Sequence, residues 1–153
     1  MTTKFADAKP RGARWEWAQL RAASGALTGA DTSPRVRCGW ARLAVVRLDI
    51  TTITTPDADD EVDFYVQTRF NGGDWVDLEN HHLANADNGT TRIRDIVIGG
   101  AQRSAAARTE TAGTLADNTK NDLPLGDELR VVCAVTGATA PTYAYNAEVF
   151  LQA

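Results

Sequence analysis

Few side chains in this sequence are of types that do chemistry, and their spacing limits what they can do. His81 and His82 are the only histidines; they are adjacent and follow Glu79 by two and three positions. Neighbours on a strand leave on opposite faces, so the pair is not placed to share one metal ion, and it reads as a polar strand end. Cys38 and Cys133 are the only cysteines and form no C-x-x-C pair. A structural zinc site or a dithiol redox centre therefore has no ligand set. Two readings of the cysteines stay open: buried thiols that pack as small hydrophobes, or a disulfide joining neighbouring strands. The acidic run Asp57, Asp59, Asp60 and Glu61 offers oxygen ligands of the kind calcium takes, or a carboxylate pair for glycoside hydrolysis. It lacks the glycine-punctuated spacing of a calcium loop and reads as a solvated loop. There is no G-x-S-x-G, no Walker loop and no H-E-x-x-H. The sequence predicts no catalytic residue, no metal and no cofactor, and hence a protein that is not an enzyme.

Aromatic residues are the next candidates. Asn71-Gly72-Gly73-Asp74-Trp75 resembles the turn-plus-tryptophan motifs of sugar-binding β modules, in which an exposed ring beside acids stacks on a sugar. The same five residues are also what a hairpin needs when its tryptophan covers the core. Trp75 is accordingly a candidate surface or ligand contact. Asp63 and Asp74 fall at strand edges, where charge discourages edge-to-edge aggregation.

Charge is divided unevenly. Residues 1–37 hold seven basic side chains (Lys4, Lys9, Arg11, Arg14, Arg21, Arg35, Arg37) against three acids, whereas the remaining 116 residues hold nine basic and seventeen acidic ones. This predicts an extended basic N-terminal arm, residues 1–37, on an acidic body, residues 38–153. Such an arm is drawn to acidic surfaces on a partner or a sister subunit. Nucleic acid is excluded as a partner because the acidic body repels phosphate. Trp15 and Trp17 stand two apart, so on an extended segment both point the same way as anchors. The arm's predicted partner-binding residues are Trp15, Trp17, Arg11, Arg14 and Arg21.

The elements that must carry these residues read as strands. Trp40–Thr55 is dense in β-branched residues on both sides, as for a strand buried on both faces. Val62–Phe70 alternates, with Val62, Phe64, Val66, Thr68 and Phe70 one way and Asp63, Tyr65, Gln67 and Arg69 the other, predicting a half-buried antiparallel strand. Asn71-Gly72-Gly73 then turns the chain into a hairpin whose return strand holds Trp75, Val76 and Leu78. Asn88-Gly89 marks another reversal before the strand ending in Ile96, Val97 and Ile98. Residues 101–126 read as a long loop closed by Leu123-Pro124-Leu125-Gly126. Asp127–Thr136 and Thr142–Gln152 alternate again. A chain of 153 residues suffices for one domain with a core. No run approaches the ~20 apolar residues of a membrane span, and the first twenty residues lack the apolar stretch of a Sec signal peptide, so no membrane is expected. The predicted fold is all-β: an antiparallel β-sandwich or β-barrel of about six to eight strands.

The segments EVDFYVQTRFNGGDWVDLENHHLAN and LPLGDELRVVCAVTGATAPTYAYNAEVFLQA, separated by a variable loop, carry a resemblance. Over roughly residues 40–153 the chain resembles the auxiliary, or decoration ("cement"), proteins of tailed-bacteriophage heads. The shared pattern is a strand, an N-G-G turn followed by W-x-D, and a G-D-x-L-R-V strand leading to an aromatic last strand. The resemblance implies a virion structural protein, assembled in the host cytoplasm. It would be a homotrimer clamped on the capsid exterior over the major capsid protein and stabilising the head. A tail tube, tail terminator or connector component, and a carbohydrate-binding module using Trp75, are the alternatives.

Overall fold

The computed structural model describes residues 3–6 (backbone only), 15–99, 112–121, 123–137, 139 and 141–153. They form ten strands: β1 (Thr3–Ala6), β2 (Trp15–Arg21), β3 (Asp31–Thr32), β4 (Val36–Arg37), β5 (Leu43–Thr54), β6 (Glu61–Arg69), β7 (Val76–Leu83), β8 (Arg92–Gly99), β9 (Glu128–Thr136) and β10 (Thr142–Gln152). A single 3-10 turn, Asn85–Asp87, links β7 to β8. Two antiparallel sheets result. The first runs β1-β2-β10-β5-β8; the second runs β3-β9-β6-β7, with β4 also on β9. This is a β-sandwich, with more strands than expected because the N-terminal third contributes four. Among the described residues no helix is long and apolar enough to cross a membrane.

The core is what alternation dictates. Tyr143, Tyr145, Ala147, Val149 and Leu151 of β10 all point inward and are fully buried, facing Val62, Phe64 and Val66 of β6 and Val131 and Cys133 of β9. Phe64 meets Tyr143 and Tyr145 edge-on, with ring centroids 5.7 and 5.3 Å apart, the arrangement that aromatic quadrupoles favour. Along β5 the buried positions run Ala44, Val46, Leu48, Ile50 and then Ile53. The spacing of three marks a β-bulge: Tyr145 pairs with Ile50 but Ala144 with Thr52, and the Thr51 hydroxyl donates to the Ala144 carbonyl at 3.2 Å. Both cysteines are buried free thiols rather than a disulfide. Burial foremost, helped by Asp127 and Glu128, pushes the Cys38 thiol up to about 12.

The β6–β7 hairpin forms as its residues predict. Asn71 and Gly72 both have positive φ (49° and 73°), and Gly73 N–H donates to the Phe70 carbonyl at 2.9 Å, the pattern that matches the right-handed twist of the flanking strands. Gly126 is required for another reason. A Cβ there would lie 2.3 Å from the Arg69 carbonyl oxygen, so only glycine lets the chain pass under the end of β6.

Three expectations need correction. Residues 15–37 are not an arm but part of the sandwich. Ala18 and Leu20 are buried on β2, and Val36 and Cys38 are buried beside β9. Between them the chain crosses from one sheet to the other. Leu27 and Tyr143 exchange backbone hydrogen bonds of 2.7 and 2.9 Å, and Ser33 is tied to Val131 by two more at 2.9 Å. The Tyr145 hydroxyl donates to Asp31 at 2.8 Å, and Arg21 pairs with the same carboxylate at 3.0 Å. The physical reason is apolar burial: enclosing a side chain such as Leu20 stabilises by roughly 1.5–3 kcal/mol, which a solvated arm would forgo. Second, β5 is buried on its inner face only, because its outer face meets no further layer among the described residues. Third, β6 is buried on both faces because residues 112–121 lie against the outer side of the β6–β7 hairpin, and Phe70 is exposed because it lies past the end of β6, in the turn.

Candidate functional site

The two outer faces of the sandwich differ in kind. On the first sheet, β2, β10, β5 and β8 bring Trp17, Phe150, Val45 and Val97 into one cross-strand row, each directly opposite the next. Trp15, Gln152, Leu43 and Gly99 form the neighbouring row. Trp15, Trp17, Phe150, Leu43 and Val45 are half-buried, while Val97 is 51% and Ile93 66% exposed. An antiparallel sheet with one face on a core should present polar residues on the other. Here an aromatic and aliphatic band about 14 Å across, three inter-strand spacings, faces outward instead. The next row is charged: Gln19, Glu148, Arg47 and Asp95, where Arg47 holds Asp95 through two hydrogen bonds of 2.7 and 2.9 Å. The hydrogen bond from Arg47 keeps the Asp95 carboxyl below the usual carboxylate range. An apolar band bordered by paired charges has the makeup of a protein interface, anchors at its centre and a polar rim.

On the second sheet the outer face is polar and covered. Asp77 accepts backbone N–H groups of Gly113, Thr114 and Leu115 at 3.0, 2.9 and 3.1 Å and the Gln67 amide at 2.8 Å. Asn80 N–H donates to the Thr119 carbonyl at 3.0 Å, and Asn121 N–H to Leu78 at 2.8 Å, so the segment pairs along β7. Beneath it Tyr65 is buried, and burial foremost, then Asp63, Asp77 and Asp117, pushes its hydroxyl up to about 12. The histidines separate as expected. His81, opposite Phe64, turns inward, and burial with nearby Arg94 and Arg92 lowers its pKa. Arg94 is itself held by Glu79 at 2.7 Å. His82, opposite Asp63, turns outward, where Glu61, Asp63 and His82 place ligand atoms within 4.8 Å of one another. Burial works against charging of His82, but its hydrogen bond with Asp63 and the charges of Asp63, Asp117 and Glu61 outweigh that and raise its pKa.

The sequence-predicted residues fare differently. Trp15 and Trp17 do point the same way, but from a strand inside the first sheet rather than from an arm. Arg21 is committed to Asp31 and sits 6.0 Å from the Tyr145 ring centroid. Arg11 and Arg14 lie outside the described residues, as do residues 101–111 of the long loop. Trp75 is half-buried with the Arg69 and Arg130 guanidinium groups 4.8 and 4.1 Å from its ring centroid, so cations already occupy the position where a sugar would stack. Asp60 is not solvated: it is fully buried, and its carboxylate accepts Asp57 N–H at 2.9 Å and Thr139 N–H at 3.3 Å. Sequence reasoning did not find the outer row, since Phe150, Val45 and Val97 join Trp17 only through strand register. Comparison with known protein families, curated proteins and solved structures finds no match to this chain.

Proposed function

We propose that this chain is an assembly protein, and specifically a decoration protein of a tailed-bacteriophage head that docks on the major capsid protein lattice as a homotrimer. The observation that carries the reading is the outward row Trp17–Phe150–Val45–Val97 on the first sheet. Such a band costs solubility in an isolated molecule and gains only when another protein covers it. The tryptophans keep the anchoring role assigned to them, exercised from the face of a folded body. The basic arm no longer supports the reading, because residues 15–37 are enclosed in the subunit's own sheets. Many weak sites on a repeating lattice bind firmly through avidity, so a modest patch suffices.

The test is occupancy of purified heads lacking this protein. Val97→Arg sits at a half-exposed position and should leave the melting temperature within a few degrees while abolishing attachment. Trp17→Ala should weaken attachment in the same direction. Sedimentation equilibrium of the free protein reports whether trimers form and whether Val97→Arg dissolves them. Heads decorated to saturation by both variants would remove the reading.

A further inference from the structure

We infer that Glu61, Asp63, His82 and Asp117 form a binding site for one divalent transition-metal ion, Zn²⁺ in preference to Mn²⁺ and both in preference to Ca²⁺. The register of the hairpin builds it. Asp63 and His82 are directly opposed on β6 and β7, and Glu61 lies two residues before Asp63, hence on the same outer face. His82 Nδ1 is 2.9 Å from Asp63 Oδ1 and 3.6 Å from Asp117 Oδ1. Ligands bound about 2.0–2.2 Å from a common ion stand roughly 3–3.5 Å apart, so these separations are already those of a coordination shell. Asp117 arrives from the covering segment in a fixed turn: Thr119 N–H donates to Ala116 at 3.2 Å, Asn118 has φ 52°, and its side chain accepts His82 N–H at 3.2 Å.

A second observation is the charge balance around these groups. Asn80 is fully buried and gives its Nδ2 to Asp63 Oδ1 and to the Leu115 carbonyl, each at 3.0 Å, while its Oδ1 has no hydrogen-bond partner among the described residues. Among the described residues no arginine or lysine makes an ion pair with Glu61, Asp63 or Asp117. Three carboxylates and an imidazole thus gather with no cationic side chain among the described residues to balance them. Carboxylates gathered in this way repel one another, and a bound cation reverses the sign of their interaction. The imidazole among the ligands selects a borderline transition ion over calcium, which takes oxygen ligands. Because the ligands come from both the hairpin and the covering segment, the ion would pin one to the other.

The experiment is titration of the full chain, freed of metal with EDTA, with ZnCl₂, MnCl₂ and CaCl₂ by calorimetry and thermal melting. One equivalent of Zn²⁺ should bind and raise the melting temperature, with Mn²⁺ weaker and Ca²⁺ weaker still. His82→Gln and Asp117→Asn should each cut the Zn²⁺ affinity at least tenfold. The Asp117 side chain is 63% exposed, so this variant tests the site without unfolding the protein. Asp57→Asn with Asp59→Asn, in the other acidic group, should change nothing. Absence of saturable one-to-one Zn²⁺ binding, binding untouched by His82→Gln and Asp117→Asn, or binding lost only in the Asp57/Asp59 variant would each overturn the inference.

Discussion

The outer faces of the two sheets start from the same rule and end differently. Each sheet spends its inward residues on one shared core. Outside, the second sheet carries Asp63, Tyr65, Gln67, Asp77 and Asn80, and the chain's own residues 112–121 cover them. The first carries Trp17, Phe150, Val45 and Val97, and no described segment does the same for it. Polar groups can be satisfied by a local loop whose backbone supplies donors one by one. A flat apolar row offers such a loop no hydrogen bonds and is best covered by another flat, apolar surface. The difference explains why one face is finished within the subunit and the other is suited to a partner.

Four measurements would break or sharpen that contrast. The largest effect is expected at Asp77→Ala, which leaves three backbone N–H groups and the Gln67 amide without their acceptor; stability to urea should fall by about 3 kcal/mol. Hydrogen exchange should then accelerate across residues 112–121. A loss below about 1 kcal/mol would mean the segment is held by its pairing with β7 alone. Next comes thiol labelling. Cys38 is pushed from 9.0 to about 12, so about a thousandfold less thiolate is present at pH 8, and both buried thiols should resist an aromatic disulfide reagent. Both belong to the second sheet's side of the core, so Asp77→Ala should speed their labelling and Val97→Arg should not. Trp17→Ala ranks third, costing about 1 kcal/mol in the isolated protein despite the size of the ring, because its row is already half in water. The smallest is Arg47→Gln. That ion pair is open to solvent, and the urea midpoint should not move beyond experimental error.

The parts legible in the sequence were those in which neighbours along the chain decide. The β6–β7 hairpin rests on Asn71 and Gly72, whose backbone freedom is a local property. The last strand rests on five inward residues in strict alternation from Tyr143 to Leu151. What could not be read depends on which strand lies beside which. β2, β3 and β4 sit in a stretch rich in Ala, Gly and Arg, and are strands because β10 and β9 offer them free edges. The outward row needs four strands in register, and the register of β5 against β10 is shifted by the Thr51 bulge. His82 was read correctly as leaving opposite to His81. That it lands across from Asp63 depends on a second bulge, between Val66 and Gln67 in the β6–β7 pairing, which no spacing in the sequence announces.

The pairing of β10 between β2 and β5 also has a consequence for how the protein is made. β10 is the last of these strands to leave the ribosome, yet it is central to the first sheet, and β2, more than a hundred residues earlier, has to wait for it. Until then two strands with bare edges, one of them bearing both outward tryptophans, are exposed in a nascent chain. The first sheet must therefore wait for β10 before it closes, and its long-range pairing makes folding slow. A copy that stops before Thr142 would be an aggregate in waiting rather than a smaller version of the same protein.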